Sequence, residues 1–286
     1  MNVLILGGNG YIGSKVTREI LNAGHSVVCT KRLSSNLYRI DDIVDKIKWI
    51  SSSVEGVESE CQNTQFDYVL NLACNYGLGN FLYDGILSAN IIFPLQVLNI
   101  VVARGTKKFL TIGTGLPDEF NMYSFTKKML TEFGRFYVEK HSITFSSLLL
   151  EMFYGADEPR NRFLPSIIEK MINGDVVETT LGTQKRDIIA ADDIVKAIMM
   201  VFNSNIEGFH EIPVGTGVSP SVSEIVDFIW EETAKKSRVF KGAIPMRNNE
   251  PDCVSDNSVL KSIGEWNPTP WREGLIKMIK KMEEAK

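Results

Sequence analysis

Apolar and polar positions along this chain follow two alternating periods. Val3 to Leu6 form an unbroken apolar run, which passes through glycines into a segment with Val16, Ile20 and Leu21 on one side. The run predicts a buried strand, and the wider spacing predicts an amphipathic helix. A second β-branched run, Val27-Val28, follows. Strand, turn, helix and strand in this order make the repeating unit of a parallel sheet.

The same alternation continues. "KIKWI" and "DYVLNLAC" predict strands, and "ANIIFPLQVLNIVVARG" predicts a helix that contains Pro94. "KKFLTIGTG" is a fifth strand, Tyr123 to Lys140 a long helix, and "ITFSSLLLEMFYG" another strand. Parallel strands joined by crossover helices give an α/β fold, a doubly wound sheet of Rossmann type. After Gly155 the pattern loosens into turns and short elements. The expected organisation is a dinucleotide-binding domain over 1–154 and a smaller C-terminal α/β lobe over 155–286. Within the latter, "RDIIAADDIVKAIMMVF", about 186–204, should return to the first domain, and "SVSEIVDFIWEETAKK" should be a helix of the lobe.

Gly7, Gly10 and Gly13 stand at GxxGxxG spacing between the first strand and the first helix, with Gly8 inside. Glycines there permit a tight turn and let backbone N–H groups approach a pyrophosphate at the helix N-terminus. A dinucleotide cofactor is therefore expected. Sites that prefer NAD carry an acidic residue at the end of the second strand, for the ribose 2′-hydroxyl. This chain has Thr30-Lys31-Arg32 instead. Two cations suit a 2′-phosphate, so Lys31 and Arg32 favour NADP(H), with NAD(H) as the alternative.

Composition excludes several other classes. The 286 residues, 44% hydrophobic and 23% charged, suffice for one large domain with an appendage. A net charge of −4 leaves no basic footprint for nucleic acid and no polybasic membrane patch. The four cysteines are scattered, without CxxC or metal-ligand spacing, which points to a reducing cytoplasm. The apolar start "MNVLILGG" is too short and too glycine-rich for a signal peptide or a span.

The remaining chemistry lies in "NMYSFTKKML". Tyr123 and Lys127 are four residues apart at the start of the long helix, so they share a face just beyond the fifth strand. Ligands of such sheets bind beyond the carboxyl ends of the strands. A free phenol, with a pKa near about 10, is a poor acid or base at neutral pH. A neighbouring ammonium favours the phenolate, which fits the phenol for proton transfer at a carbonyl or alcohol oxygen. Thr114, at the end of the preceding strand, is placed to hydrogen-bond the same oxygen. The pair thus suits proton transfer coupled to hydride transfer.

"GGNGYIG", "LNLAC", "YSFTK", "EMFYG", "RFLPSII", "QKRDIIAADDIVKA", "IPVGTG", Arg247 and "IGEWNPT" occur in the order seen in one family. The chain resembles the extended short-chain dehydrogenases/reductases, of the NAD-dependent epimerase/dehydratase type that acts on nucleotide sugars. The resemblance implies a catalytic triad of Thr114, Tyr123 and Lys127, with Lys127 also holding the nicotinamide ribose. It implies pyrophosphate contacts at Gly7, Gly10, Tyr11, Ile12 and Gly13, and cofactor contacts at Leu72 and Ala73. Asn75, Phe163, Leu164, Gln184, Arg186 and Arg247 are the implied nucleotide-sugar residues, Arg247 facing the diphosphate. A homodimer through the helix of Tyr123 and its neighbour is typical of the family. Departures are Asn71 where a histidine is usual, Ser53 where an acidic residue is usual, and Leu149 where an arginine is frequent.

Within that family, 4,6-dehydratases carry Asp-Glu after the threonine, and this chain has Gly115-Leu116. A 3,5-epimerisation needs an extra Cys/His pair, and His25, His141 and His210 lie outside the expected site. A 4-keto reductase and a 4-epimerase both remain, since each can run on Thr, Tyr and Lys alone. Lys31-Arg32 tilts the expectation to an exchanging NADPH and hence to reduction. The pattern, with "NYG" after the fourth strand, is most similar to CDP-abequose-synthase-like reductases of nucleotide-linked 4-keto-6-deoxyhexoses. A non-catalytic dinucleotide-binding regulator is the reading from another class, and the retained Tyr/Lys pair argues against it.

Overall fold

The computed structural model describes residues 1–77 and 83–285. The chain runs β1 (Asn2–Leu6), α1 (Tyr11–Asn22), β2 (Ser26–Lys31), β3 (Lys48–Ser51), α2 (Val54–Asn63), β4 (Tyr68–Asn71), α3 (Asp84–Leu87) and α4 (Phe93–Ala103). It continues with β5 (Lys108–Thr114), α5 (Met122–Lys140), β6 (Thr144–Leu150), β7 (Met152–Tyr154), α6 (Phe163–Asn173), β8 (Val177–Thr179), β9 (Ile188–Ala190) and α7 (Ala191–Asn203). The last elements are β10 (Phe209–Val214), α8 (Val222–Glu232), β11 (Val239–Lys241), α9 (Ser258–Ile263) and α10 (Trp271–Glu284).

Seven strands form one sheet in the order β3-β2-β1-β4-β5-β6-β10. The ladders from β3 across to β5 are parallel. Leu6 lies level with both Thr30 and Asn71, so the chain leaves β1, β2 and β4 at one height. Strand order reverses between β1 and β4, which opens the ligand crevice of a doubly wound sheet there. The expected Rossmann fold is thus the observed one.

By compactness the chain divides into two units, Met1–Leu149 with Val195–Ile212, and Leu150–Ile194 with Pro213–Lys286. The segment that rejoins the first unit begins later than 186 and runs to 212, because β10 extends the sheet beyond β6. The Phe145 N–H donates to the Gly208 carbonyl there, at 2.9 Å. Alternation alone did not single out β10 as a strand. The long run "ITFSSLLLEMFYG" is two strands, β6 and β7, separated at Glu151.

The core of the first unit is built from Leu4, Leu6, Val69, Val97, Leu98, Val101 and their neighbours on strands and helices. Phe145 stacks on both Phe109 and Phe209, at 5.4 and 6.2 Å, tying β5, β6 and β10 together. Asp84–Ala103 is one continuous helical run, long and apolar enough by length and composition to cross a membrane. Its middle, Ser88–Ile92, is a π-turn that ends two residues before Pro94. Pro94 sits in the first turn of α4, where a missing N–H is tolerated, and the run is not broken. The second unit has its own core, where α6, α8 and α10 meet around Ile168, Ile225, Ile229, Trp271 and Leu275. Its short ladders are β7 with β9 and β8 with β11.

Candidate functional site

The glycine loop connects β1 to α1. Gly7 has φ +78°, and a Cβ there would stand 2.8 Å from the Ala73 backbone. A Cβ on Gly13 would collide with the Gly7 carbonyl oxygen. Any side chain at either position therefore breaks the turn. Gly10 is the N-cap of α1 and bonds back to the Gly7 carbonyl at 3.0 Å. The first turn of α1 has no side-chain cap and no acidic residue. Its orphan N–H groups and positive dipole end are left for an anion, so these residues fit a pyrophosphate. Tyr11 opens the helix with Ile12 beside it, and the Arg39 guanidinium lies 5.7 Å from the Tyr11 ring centroid.

At the end of β2, Lys31 and Arg32 are both exposed. Lys31 Nζ lies 5.6 Å from the Trp49 ring centroid. The Arg32 backbone turns back on Ser35, whose hydroxyl accepts its N–H at 3.0 Å. The loop is pinned to the glycine turn by the Asn9 side-chain amide, which donates to the Asn36 carbonyl at 3.1 Å. Ser53 is spent elsewhere: its hydroxyl caps α2 by accepting the Gly56 N–H at 3.1 Å.

Tyr123 and Lys127 occupy the first turns of α5. Asn121 caps that helix by accepting the Ser124 N–H at 2.9 Å, and the Ser124 hydroxyl accepts the Asn121 N–H in return. This reciprocal pair starts the helix at Met122, which puts Tyr123 at its mouth. Lys127 Nζ stands 5.9 Å from the Tyr123 ring centroid. The lysine is 2% exposed. Burial lowers its pKa below the ordinary lysine value, with Cys74 opposing. Desolvation thus weakens the ammonium that the sequence pattern led one to expect. Thr114 and Lys127 line one cavity of about 150 Å³, with Gly113, Leu116, Ser124 and Glu211. The Thr114 hydroxyl accepts the Leu116 N–H at 3.2 Å. A larger hollow of about 360 Å³, between α2 and α4, holds none of the expected site residues.

Leu72 and Ala73 follow β4, the Leu72 N–H bonding the Leu6 carbonyl at 2.9 Å. Asn75 uses its side-chain oxygen to accept the Gly77 N–H at 2.9 Å. Asn71, in the place of the usual histidine, donates to the Thr111 hydroxyl at 3.0 Å within the sheet. Two residues of this region were given no role by the sequence, although Tyr76 lies within "NYG". Asn90 is buried in the π-turn and bonds both the Asn75 N–H and the Asn75 carbonyl, at 2.8 and 2.9 Å. Asn90 is one of three amides in that run, with Gln96 and Asn99, so only its burial in the fold marks it as a polar group that must be paired. Tyr76 stacks on Tyr123.

In the second unit, Phe163 opens α6 and is 39% exposed, whereas Leu164 is withdrawn into the core. The Leu164 side chain is therefore packing, and only its backbone is left for a ligand. Arg186 pairs with Glu250 at 2.6 Å and also donates to the Lys185 and Pro251 carbonyls. Gln184 donates to the same Glu250, at 3.3 Å, and its own oxygen is buried without a hydrogen-bond partner. Arg247, between β11 and Glu250, is exposed. Asp187 is fully buried and accepts from the N–H groups of Thr216, Gly217 and Ser255, which fixes the loop after β10. Glu151, unremarked in the sequence, is half-buried. Burial and then the Asp187 charge push its carboxyl up to about 7, with Arg186 opposing. Among the described residues no group of three His, Cys, Asp or Glu could hold a metal ion.

The family model described as "NAD dependent epimerase/dehydratase family" matches residues 3–215. The chain belongs to that family. Its extended short-chain dehydrogenase/reductase character, expected from the motifs, is borne out, and with it the expectation of an enzyme. A family member from Salmonella muenchen, "CDP-abequose synthase", is 25% identical over 98% of both chains. The protein of the same name from Salmonella typhimurium is 28% identical, again over 98% of both. Among solved structures, the UDP-glucose 4-epimerase of Thermotoga maritima, with UDP-glucose, superposes with a TM-score of 0.88 at 20% identity. That match covers 100% of this chain and 99% of the other, and it confirms the fold.

Proposed function

We propose that the protein reduces the C4 keto group of a nucleotide-linked 4-keto-6-deoxyhexose, using NADPH. The observation that carries the choice of reduction is the cationic end of β2, where Lys31 and Arg32 are exposed and no carboxylate follows. The full-length likeness to the two CDP-abequose synthases supports the choice of substrate class. The dinucleotide, when bound, supplies the hydride that adds to C4. The glycine loop and the open N-terminus of α1 hold its pyrophosphate, Leu72 and Ala73 flank it, and Lys31 and Arg32 engage the 2′-phosphate. Tyr123 donates its phenolic proton to the C4 oxygen as the carbonyl becomes an alcohol. Thr114 holds that oxygen, and Lys127 steadies the ribose and the charge left on Tyr123. Asn75, Phe163, Gln184 and Arg186 are assigned to the nucleotide sugar, with the exposed guanidinium of Arg247 on its diphosphate.

The enzyme is assigned to the cytoplasm, in keeping with its four free cysteines. It is also assigned as a homodimer through α4 and α5, where Ile92, just before α4, and Phe125 and Phe136 on α5 are each about half exposed.

NADPH absorbance is followed with CDP- and dTDP-linked 4-keto-6-deoxyglucose, with Tyr123→Phe as control. Oxidation that Tyr123→Phe loses by about a hundredfold or more supports the reduction. NADH should serve more poorly, and the gap should close in Lys31→Ala/Arg32→Ala. Thr114, Tyr123 and Lys127 would also suffice for 4-epimerisation, the activity named for the Thermotoga maritima protein. Tightly bound NAD in the purified protein, with interconversion of UDP-hexoses and no net oxidation of NADPH, would replace reduction by that reading.

A further inference from the structure

We propose that Tyr76 is a positioning residue that holds the Tyr123 phenol in line for proton transfer. The two rings are stacked, with centroids 5.1 Å apart and planes at 27°. That spacing lies within the range where offset aromatic pairs attract. Tyr76 is 38% exposed, and its ring stacks on the proton donor.

The turn that carries Tyr76 is fixed on both sides. On one side, the Asn75 N–H donates to Asn90 Oδ1 at 2.8 Å, and Asn90 Nδ2 donates to the Asn75 carbonyl at 2.9 Å. On the other, the Gly77 N–H donates to Asn75 Oδ1 at 2.9 Å, with Gly77 in the left-handed region at φ +69°. Asn90 Nδ2 spends its second hydrogen on the Thr126 hydroxyl, at 3.1 Å. Thr126 in turn donates to the Tyr123 carbonyl at 2.9 Å. One buried amide therefore ties the turn bearing Tyr76 to the helical turn bearing Tyr123. The backbone link sets the spacing of the two residues, and the ring stack sets the torsion of the phenol.

A proton donor works only within hydrogen-bond reach of its acceptor, so the side-chain torsions of the Tyr123 phenol matter to the reaction. The stack narrows those torsions before substrate arrives. This role rests on the assignment of Tyr123 as proton donor above.

Two measurements test it. The first uses protein labelled with carbon isotope at the oxygen-bearing carbon of tyrosine. Loss of one resonance in Tyr123→Phe identifies the Tyr123 signal. Tyr76→Leu should displace that signal, whereas Tyr76→Phe, which keeps a ring, should leave it in place. The second is NADPH oxidation with CDP-4-keto-6-deoxyglucose. Tyr76→Leu should lower kcat about threefold to tenfold at unchanged KM, the range an aromatic pair supplies. Tyr76→Phe should restore the rate. Added to Tyr123→Phe, Tyr76→Leu should cost nothing more, because the residue acts only through the phenol. An unmoved resonance overturns the proposal, as does an equal loss of rate in the native and Tyr123→Phe backgrounds. A native protein that oxidises no NADPH would instead sink the reductase assignment, and the resonance would still decide whether Tyr76 holds Tyr123.

Discussion

Glu151 should make the protein less stable as the solution passes from mildly acidic to neutral. Burial and the neighbouring Asp187 charge push its carboxyl up to about 7 from an ordinary 4.5, against the opposing Arg186. Between those two values the folded chain keeps a proton that the unfolded chain has released. Protonation then favours the fold, and stability falls as pH rises through the window from about 4.5 to 7. At about 1.4 kcal/mol per tenfold change in proton affinity, the full cost above that window is about 3 kcal/mol. Partial solvent access to the carboxyl reduces this to about 1–2 kcal/mol. Glu151→Gln keeps the shape of the protonated acid and cannot ionise. Urea unfolding, followed by tryptophan fluorescence, to which Trp230, Trp266 and Trp271 of the same unit contribute, should show the variant about 1–2 kcal/mol more stable at about pH 8. At about pH 4, below both values, the two proteins should nearly match. A difference of the same size at both pH values would refute the reasoning, because it would show that ionisation of Glu151 is not what the fold opposes.

Gly13→Ala should abolish NADPH binding in a fluorescence titration, because its Cβ collides with the Gly7 carbonyl oxygen and the loop must open; undiminished affinity would contradict the cradle. Lys127→Met should stop turnover yet raise stability by about 1–3 kcal/mol in urea, since it removes a buried cation whose charge desolvation disfavours. That gain should shrink as pH rises toward the unperturbed lysine value, where the unfolded chain also loses its proton; a variant less stable than the parent would show that the amine is well paired. Phe125→Asp with Phe136→Asp should convert a dimer to monomer in analytical ultracentrifugation, and a native protein that is already monomeric would remove α4 and α5 as the interface.

Much of this protein is local in origin. The apolar run before Gly7, the glycine spacing and the helix after them are each consecutive in sequence, so β1, the loop and α1 could be read without the fold. The same holds for Tyr123 and Lys127, because helical periodicity alone puts positions four apart on one face. Three things needed the tertiary structure. Glu151 looks like one position in a long strand, and only the turn between β6 and β7, with Asp187 and Arg186 nearby, changes its acidity. Lys127 reads as an ordinary ammonium until α5 is packed and its solvent is gone. Asn90 and Tyr76 lie far from Tyr123 along the chain, and π-turn, hydrogen bonds and ring stack bring them to it. Periodicity reports which residues are near in sequence. Desolvation, charge proximity and ring stacking depend on distances across the fold, which no run of residues contains.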